Sequence, residues 1–199
     1  MANRRRSVRL SPPARIEYLQ DRLLLSGTFT VTDSGDASTG QTLRAAILAA
    51  NAPNGPTTID FAFPGTAPFI IQPATSLPTI VSAVTIDGTS QTGYSGKPLI
   101  MLDGSKTNLG SVGLFMVAPS VVVEGLSIGN FTGGGILIGE PGHDQIESSY
   151  IGVATDGTTA APNGGAGIDI TDGGSNPKTS VIQAAIATCP PQFTEIVAP

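Results

Sequence analysis

Tryptophan is absent from the 199 residues, cysteine occurs once (Cys189) and histidine once (His143). One cysteine closes no disulfide within the chain, and one cysteine with one histidine leaves no ligand set for a structural zinc site. Charge is sparse, at 13% of residues, and no apolar run approaches the roughly 18 residues that a membrane-spanning helix needs. Bases are sparser still. Beyond residue 23 there are Arg44, Lys97, Lys106 and Lys178 against thirteen acids, a net of −9. Four scattered cations make no basic stripe, which excludes a nucleic-acid surface on this part of the chain. A hydrophobic share of 40% excludes a disordered polar chain.

What is abundant is punctuation. The 25 glycines and 16 prolines separate short aliphatic segments rich in Thr, Ser, Asn and Asp, a pattern of short strands joined by tight turns. Residues 28–32 (TFTVT) alternate as a strand should. TGQTLRAAILAAN (39–51) is the one clear helix, with Leu43, Ala46, Ile47 and Ala50 on one face, Thr39 or Thr42 at its start, and Asn51 with Pro53 at its end. From residue 57 the β segments run TTIDF, PFII, AVTIDG, LIMLDG, GLFMV, VVVEGLSIG, GGILIG, QIESSYIG and GAGIDI, with nothing helical between them. In front stands a basic stretch, six arginines against Glu17 and Asp21 in residues 1–23, a net of +4. Ile16, Leu19 and Leu23 fall on one face of a short helix, but the uninterrupted apolar core of a secretory signal is missing, so the segment reads as a basic tail or an address.

Two self-alignments set the architecture. Val123–Gly129 matches Ile146–Gly152 at an offset of 23, and Gly135–Ile138 matches Gly167–Ile170 at an offset of 32. The extra residues between them, VATDGTTAAPNGG (153–165), read as a loop. A repeat in the low twenties with several strands each predicts a parallel β-solenoid. Leu126 and Ile128, Ile136 and Ile138, and Ile168 and Ile170 then point inward and stack on their equivalents. This pattern also decides a motif. Gly125-Leu126-Ser127-Ile128-Gly129 has the G-x-S-x-G form of a nucleophile elbow, but that turn needs a helix after it, and GNFTGGGILIG follows. The expectation is that Ser127 points out of a wall and is inert, with His143 on a turn of the same solenoid.

TLRAAILAAN (42–51), TIDGTSQTGYSGKPLIMLDGS (85–105) and SYIGVATDGTTAAPNGGAGI (149–168) resemble right-handed parallel β-helix repeat proteins of bacterial cell surfaces, over about residues 28–176. The resemblance implies an all-β, right-handed parallel β-helix in which residues 42–51 are an N-terminal capping helix and the T-I-D-G and L-D-G phrases close the first coils. IEYLQDRLLLS (16–26) is similar to the L-E-x-L-E-x-R-x-L-L-S start of many exported planctomycete proteins, with Ile16 and Gln20 departing from it; this implies export to the extracellular space or cell surface. The expected layout is a basic export segment 1–26, a strand plus capping helix 27–56, β-helix coils 57–176 and an atypical tail 177–199. Carrying the 32-residue offset forward places Lys178 where Ile146 stood, so the next coil is expected to fail there, with VIQAAIA (181–187) as a makeshift helix over an open end. The chain is then expected to be shortened, with a tail of different origin, marginal from about Gly173 and prone to self-association through the exposed coil.

The architecture is shared by polysaccharide lyases and adhesins, so function must come from sites. A lyase resembling the pectate enzymes needs clustered acids and a base on one face. Asp87, Asp103, Glu124, Asp144, Glu147, Asp169 and Asp172 are mostly single and attached to turns; Arg44 belongs to the helix, and Lys97 and Lys106 flank turns. Glu124 and Glu147 align in the repeat as outer-face neighbours, read as solvated carboxylates rather than a glycosidase pair. GGAGIDITD (164–172) fits one copy of a calcium-binding nonapeptide whose sites need tandem copies, so calcium is a minor alternative to no cofactor. Asn130-Phe131-Thr132 is an N-glycosylation triplet of little meaning in a bacterial protein. No catalytic, cofactor or metal residue is assigned. The reading is a non-catalytic surface or adhesive solenoid contacting glycans or proteins, with a polysaccharide lyase or glycoside hydrolase of the pectate-lyase-like type as the alternative.

Overall fold

A computed structural model describes residues 27–139, 142–171 and 181–183. The basic segment 1–26 expected to direct export, Asp172, Lys178, and residues 184–199 with Cys189 lie outside the described residues.

Thirteen short strands and one α-helix make up the described chain, together with single 3-10 turns at Gly88–Ser90 and Gly104–Lys106. The helix, α1 (Leu43–Ala50), starts where Thr42 accepts a hydrogen bond from the Ala45 amide and ends at Asn51, whose own amide bonds back to Ile47. Leu43, Ala45, Ala46, Ile47 and Ala50 are buried. Arg44 on its other side pairs with Asp36 at 2.8 Å and donates to the carbonyls of Thr75 and Ser76, tying the helix to the loop after the third strand.

The strands are β1 (Thr28–Val31), β2 (Thr58–Phe61), β3 (Phe69–Ile71), β4 (Thr85–Asp87), β5 (Ile100–Asp103), β6 (Leu114–Met116), β7 (Val122–Glu124), β8 (Leu126–Gly129), β9 (Ile136–Ile138), β10 (Gln145–Glu147), β11 (Tyr150–Ile151), β12 (Ile168–Ile170) and β13 (Val181–Gln183). They form three sheets, ordered β1-β2-β4-β7-β10-β13, β3-β5-β8-β11 and β6-β9-β12. From β4 onward the chain visits first, second and third sheet in turn, again and again. Every strand pairing within these sheets is parallel. The fold is therefore all-β, with parallel sheets and little helix, an arrangement compatible with a β-helix.

Register explains the core. Ile59, Ile86, Val123 and Ile146 lie opposite one another in successive strands of the first sheet, and all four are fully buried. Ile71, Leu102 and Ile128 form a second column, and Met116 and Ile138 a third that Ile170 continues. Each buried aliphatic side chain contributes roughly 1.5–3 kcal/mol, so columns of this kind stabilise sheets of only three-residue strands. The buried face of α1 joins the same core beside Val31, Ile59 and Phe61.

Both sequence offsets appear as hydrogen-bonded register: Val123 opposite Ile146 and Ile136 opposite Ile168. The extrapolation beyond Ile170 is corrected. Ile182, not Lys178, stands opposite Ile146, and Val181–Gln183 is a strand rather than the start of a helix. The periodic unit is the paired strand, while the loop before it varies: Ile59 to Ile86 is 27 residues and Ile86 to Val123 is 37. A fixed offset carried across one more loop therefore misplaces the strand.

Candidate functional site

Ser127 lies in β8 between Leu126 and Ile128, both buried, so its side chain leaves the core side of the strand. It is nevertheless fully buried. Its hydroxyl donates to the Val153 carbonyl at 2.6 Å, because residues 152–161 fold back as an antiparallel hairpin with Val153 bridged to Ala160. The expectation of an outer-wall serine is thus corrected: the wall is covered there. A hydroxyl committed to a carbonyl, on a strand with no helix after it, has none of the exposure of a nucleophile elbow. His143 sits in an exposed turn with φ of 63°.

The carboxylates play two roles, and Asp87 plays both. One role is to build turns. Asp87 accepts from the Thr89 amide and hydroxyl and the Ser90 amide, and Asp103 from the Ser105 amide, which closes the two 3-10 turns. Asp103 also binds Gln72 Nε2 at 2.7 Å and Asn130 Nδ2 at 3.0 Å, a polar column across three strand ends. Burial works to raise its pKa, but the hydrogen bonds from Gln72, Asn130 and Ser105 override it and hold the carboxyl below the ordinary value. Asn130, of the glycosylation triplet, is committed to this contact. Asp144 is buried and accepts from the Val121 and Gly142 amides. Asp156 caps the hairpin turn through Thr159 and Thr158, which lower its pKa to about 2.

The other role is to form a row. Parallel pairing puts Asp60 opposite Asp87, Asp87 opposite Glu124, and Glu124 opposite Glu147. Adjacent strands are about 4.8 Å apart, so the four residues stack at that backbone spacing up the outer face of the first sheet. Glu124 titrates above its ordinary value, first because it is partly desolvated and then because Asp87 and Glu147 flank it. Asp60 is shifted the same way by desolvation and by Asp87. Register sets Glu124 and Glu147 side by side on the outer face, the neighbours that the repeat implied, and both are half-exposed. Asp60 was not among the sequence candidates, although T-I-D, T-I-D, V-V-E and Q-I-E at 58–60, 85–87, 122–124 and 145–147 carried the signal. Beside the row runs a second outward column, Thr28, Thr58, Thr85, Val122 and Gln145.

Arg44 is engaged by Asp36 and the loop carbonyls, and Lys97 and Lys106 are exposed beside turns. The glycines of 164–167 have a packing role: Gly164 and Gly165 donate to the Phe131 and Gly133 carbonyls, while Gly135 donates to Ala166. Asp169 lies opposite Leu137 in β12. Among the described residues, no group of three or more His, Cys, Asp or Glu is placed to hold a metal ion, and no helix is long and apolar enough to cross a membrane. No family model matches the chain, and no curated protein matches it. What fold and surface define is an all-β protein of parallel sheets whose outer faces carry side chains in aligned columns.

Proposed function

We propose that the described strands form a right-handed parallel β-helix capped by α1, exported by its N-terminal segment, and that it serves as a non-catalytic structural or adhesive solenoid at the cell surface. The observation that carries this reading is the outer face of the first sheet. Its uncharged column, begun by Thr28, Thr58 and Thr85, and its carboxylate column run along paired strands, giving an extended surface suited to glycans or neighbouring proteins rather than a point where reactive groups converge. Half-buried Ile168 and Ile170, on the outermost described strand of the third sheet, suit association with a second copy.

The test is a glycan array run beside an assay for unsaturated sugar products. Binding without turnover, weakened by Thr58→Lys on the outer column, is the expected result. One observation favours the alternative of a glycoside hydrolase or polysaccharide lyase: Glu124, whose carboxyl titrates above its ordinary value, stands opposite Glu147 on the paired strand, two neighbouring carboxyls as such enzymes require. Turnover abolished by Glu124→Gln would establish that alternative.

A further inference from the structure

The carboxyl row has a feature that neither adhesion nor turnover requires. Like charges directly opposite one another in paired strands oppose the pairing, yet four acids occupy consecutive strands in register. Among the described residues, no cation pairs with any of the four. The second outward column, Thr28, Thr58, Thr85, Val122 and Gln145, has no ionisable group. The Gly88–Ser90 turn packed against β2 and β7 brings only Thr89 and Ser90, both of which bind Asp87. At the ends, register places Thr30 opposite Asp60 and Gln183 opposite Glu147. The one ion pair among the described residues, Arg44 with Asp36, lies elsewhere.

We propose that the Asp60–Asp87–Glu124–Glu147 row is a pH-sensitive clamp that tightens the first sheet on mild acidification. Asp87, fixed as an acceptor by three hydrogen bonds, stands between Asp60 and Glu124. As the pH falls, protonation of those two removes the repulsion on both sides of Asp87 and turns each into a hydrogen-bond donor toward a neighbouring carboxylate. Their raised titration supports this. A group whose folded pKa is raised makes the folded state the stronger proton binder. The stabilisation is full below the unfolded values and is lost as the pH rises through the folded ones. The window therefore opens just above the ordinary 3.8 of Asp60 and 4.5 of Glu124.

The experiment follows the thermal midpoint of the full chain from about pH 8 to about pH 4, so that the scan reaches the ordinary carboxylate range and the pH just above it. It compares the wild type with Asp60→Asn/Glu124→Gln and with Asp169→Asn, which removes a charge away from the row. The wild-type midpoint is expected to rise on acidification. The double variant should start higher at pH 8 and show less than half that rise, and Asp169→Asn should keep the wild-type slope. An unchanged slope in the double variant, or an equal flattening by Asp169→Asn, overturns the proposal. Should the double variant not fold, carboxyl carbon resonances of the wild type decide. Coupled, upward-shifted titrations of Asp60 and Glu124 support the clamp, and independent titrations at ordinary values overturn it.

Discussion

Replacing Ser127 by alanine takes a donor away from the buried Val153 carbonyl. A buried acceptor left unpaired costs about 1–3 kcal/mol, so Ser127→Ala should lower the free energy of unfolding by that much, read as a lower denaturant midpoint at unchanged m. The assay for sugar turnover should not register it; a loss of turnover at wild-type stability would restore Ser127 as a nucleophile. Gly104 is a second sensitive position. A methyl there would overlap the ring and backbone of Phe131, which is buried and has no room to withdraw. Gly104→Ala should therefore destabilise by about 1–3 kcal/mol, the usual cost of overpacking, measurable by urea unfolding. Neither sensitivity was legible in sequence. Alternation gave the side of the strand on which Ser127 lies, but the Val153 carbonyl that accepts from it is 26 residues later, on a hairpin that returns over it only in three dimensions.

Among the elements, the strand ends carry the chemistry. Asp103 closes β5 and binds Gln72 and Asn130 from neighbouring strand ends. Asparagine at this position would set its amide against the Gln72 donor, so Asp103→Asn should cost about 1–3 kcal/mol at neutral pH. The sign with pH is opposite to that of the row. Because the folded pKa of Asp103 is depressed, its stabilisation is present above the ordinary 3.8 and lost as the pH falls through the folded value. The gap between wild type and Asp103→Asn should accordingly narrow on acidification below that point, and a constant gap from neutral to acid pH would contradict the assignment. The helix was the most legible element. Its apolar face and its termination at Asn51 agree with the pattern, and of the two candidate caps, Thr42 is the one whose hydroxyl accepts the Ala45 amide.

For the whole molecule, the two carboxyl populations predict a stability maximum on the mildly acidic side of neutrality. The row is relieved as the pH falls toward the ordinary carboxylate range, and Asp103 begins to lose its hydrogen-bonded charge only below it. A midpoint that falls steadily from neutral to acid pH would contradict this balance. Association through β12 belongs to the same scale. Light scattering should show a concentration-dependent mass, since Ile168 and Ile170 are less covered than Ile136 and Ile138 in the strand they pair with.

The sequence by itself determined the class of the fold. Strand alternation and the 23- and 32-residue offsets are local properties of the chain, and parallel pairing preserves them as register, so the inward columns could be read directly. The tertiary structure alone decided what each wall displays. Register stacked Asp60, Asp87, Glu124 and Glu147 into one row, although loops of unequal length separate them in the chain. It placed Ile182 rather than Lys178 against Ile146 for the same reason, and it buried Ser127 under a hairpin. The physical cause is common to all three. Side-chain direction follows from the period of a strand, but neighbourhood follows from where loops of free length return the chain.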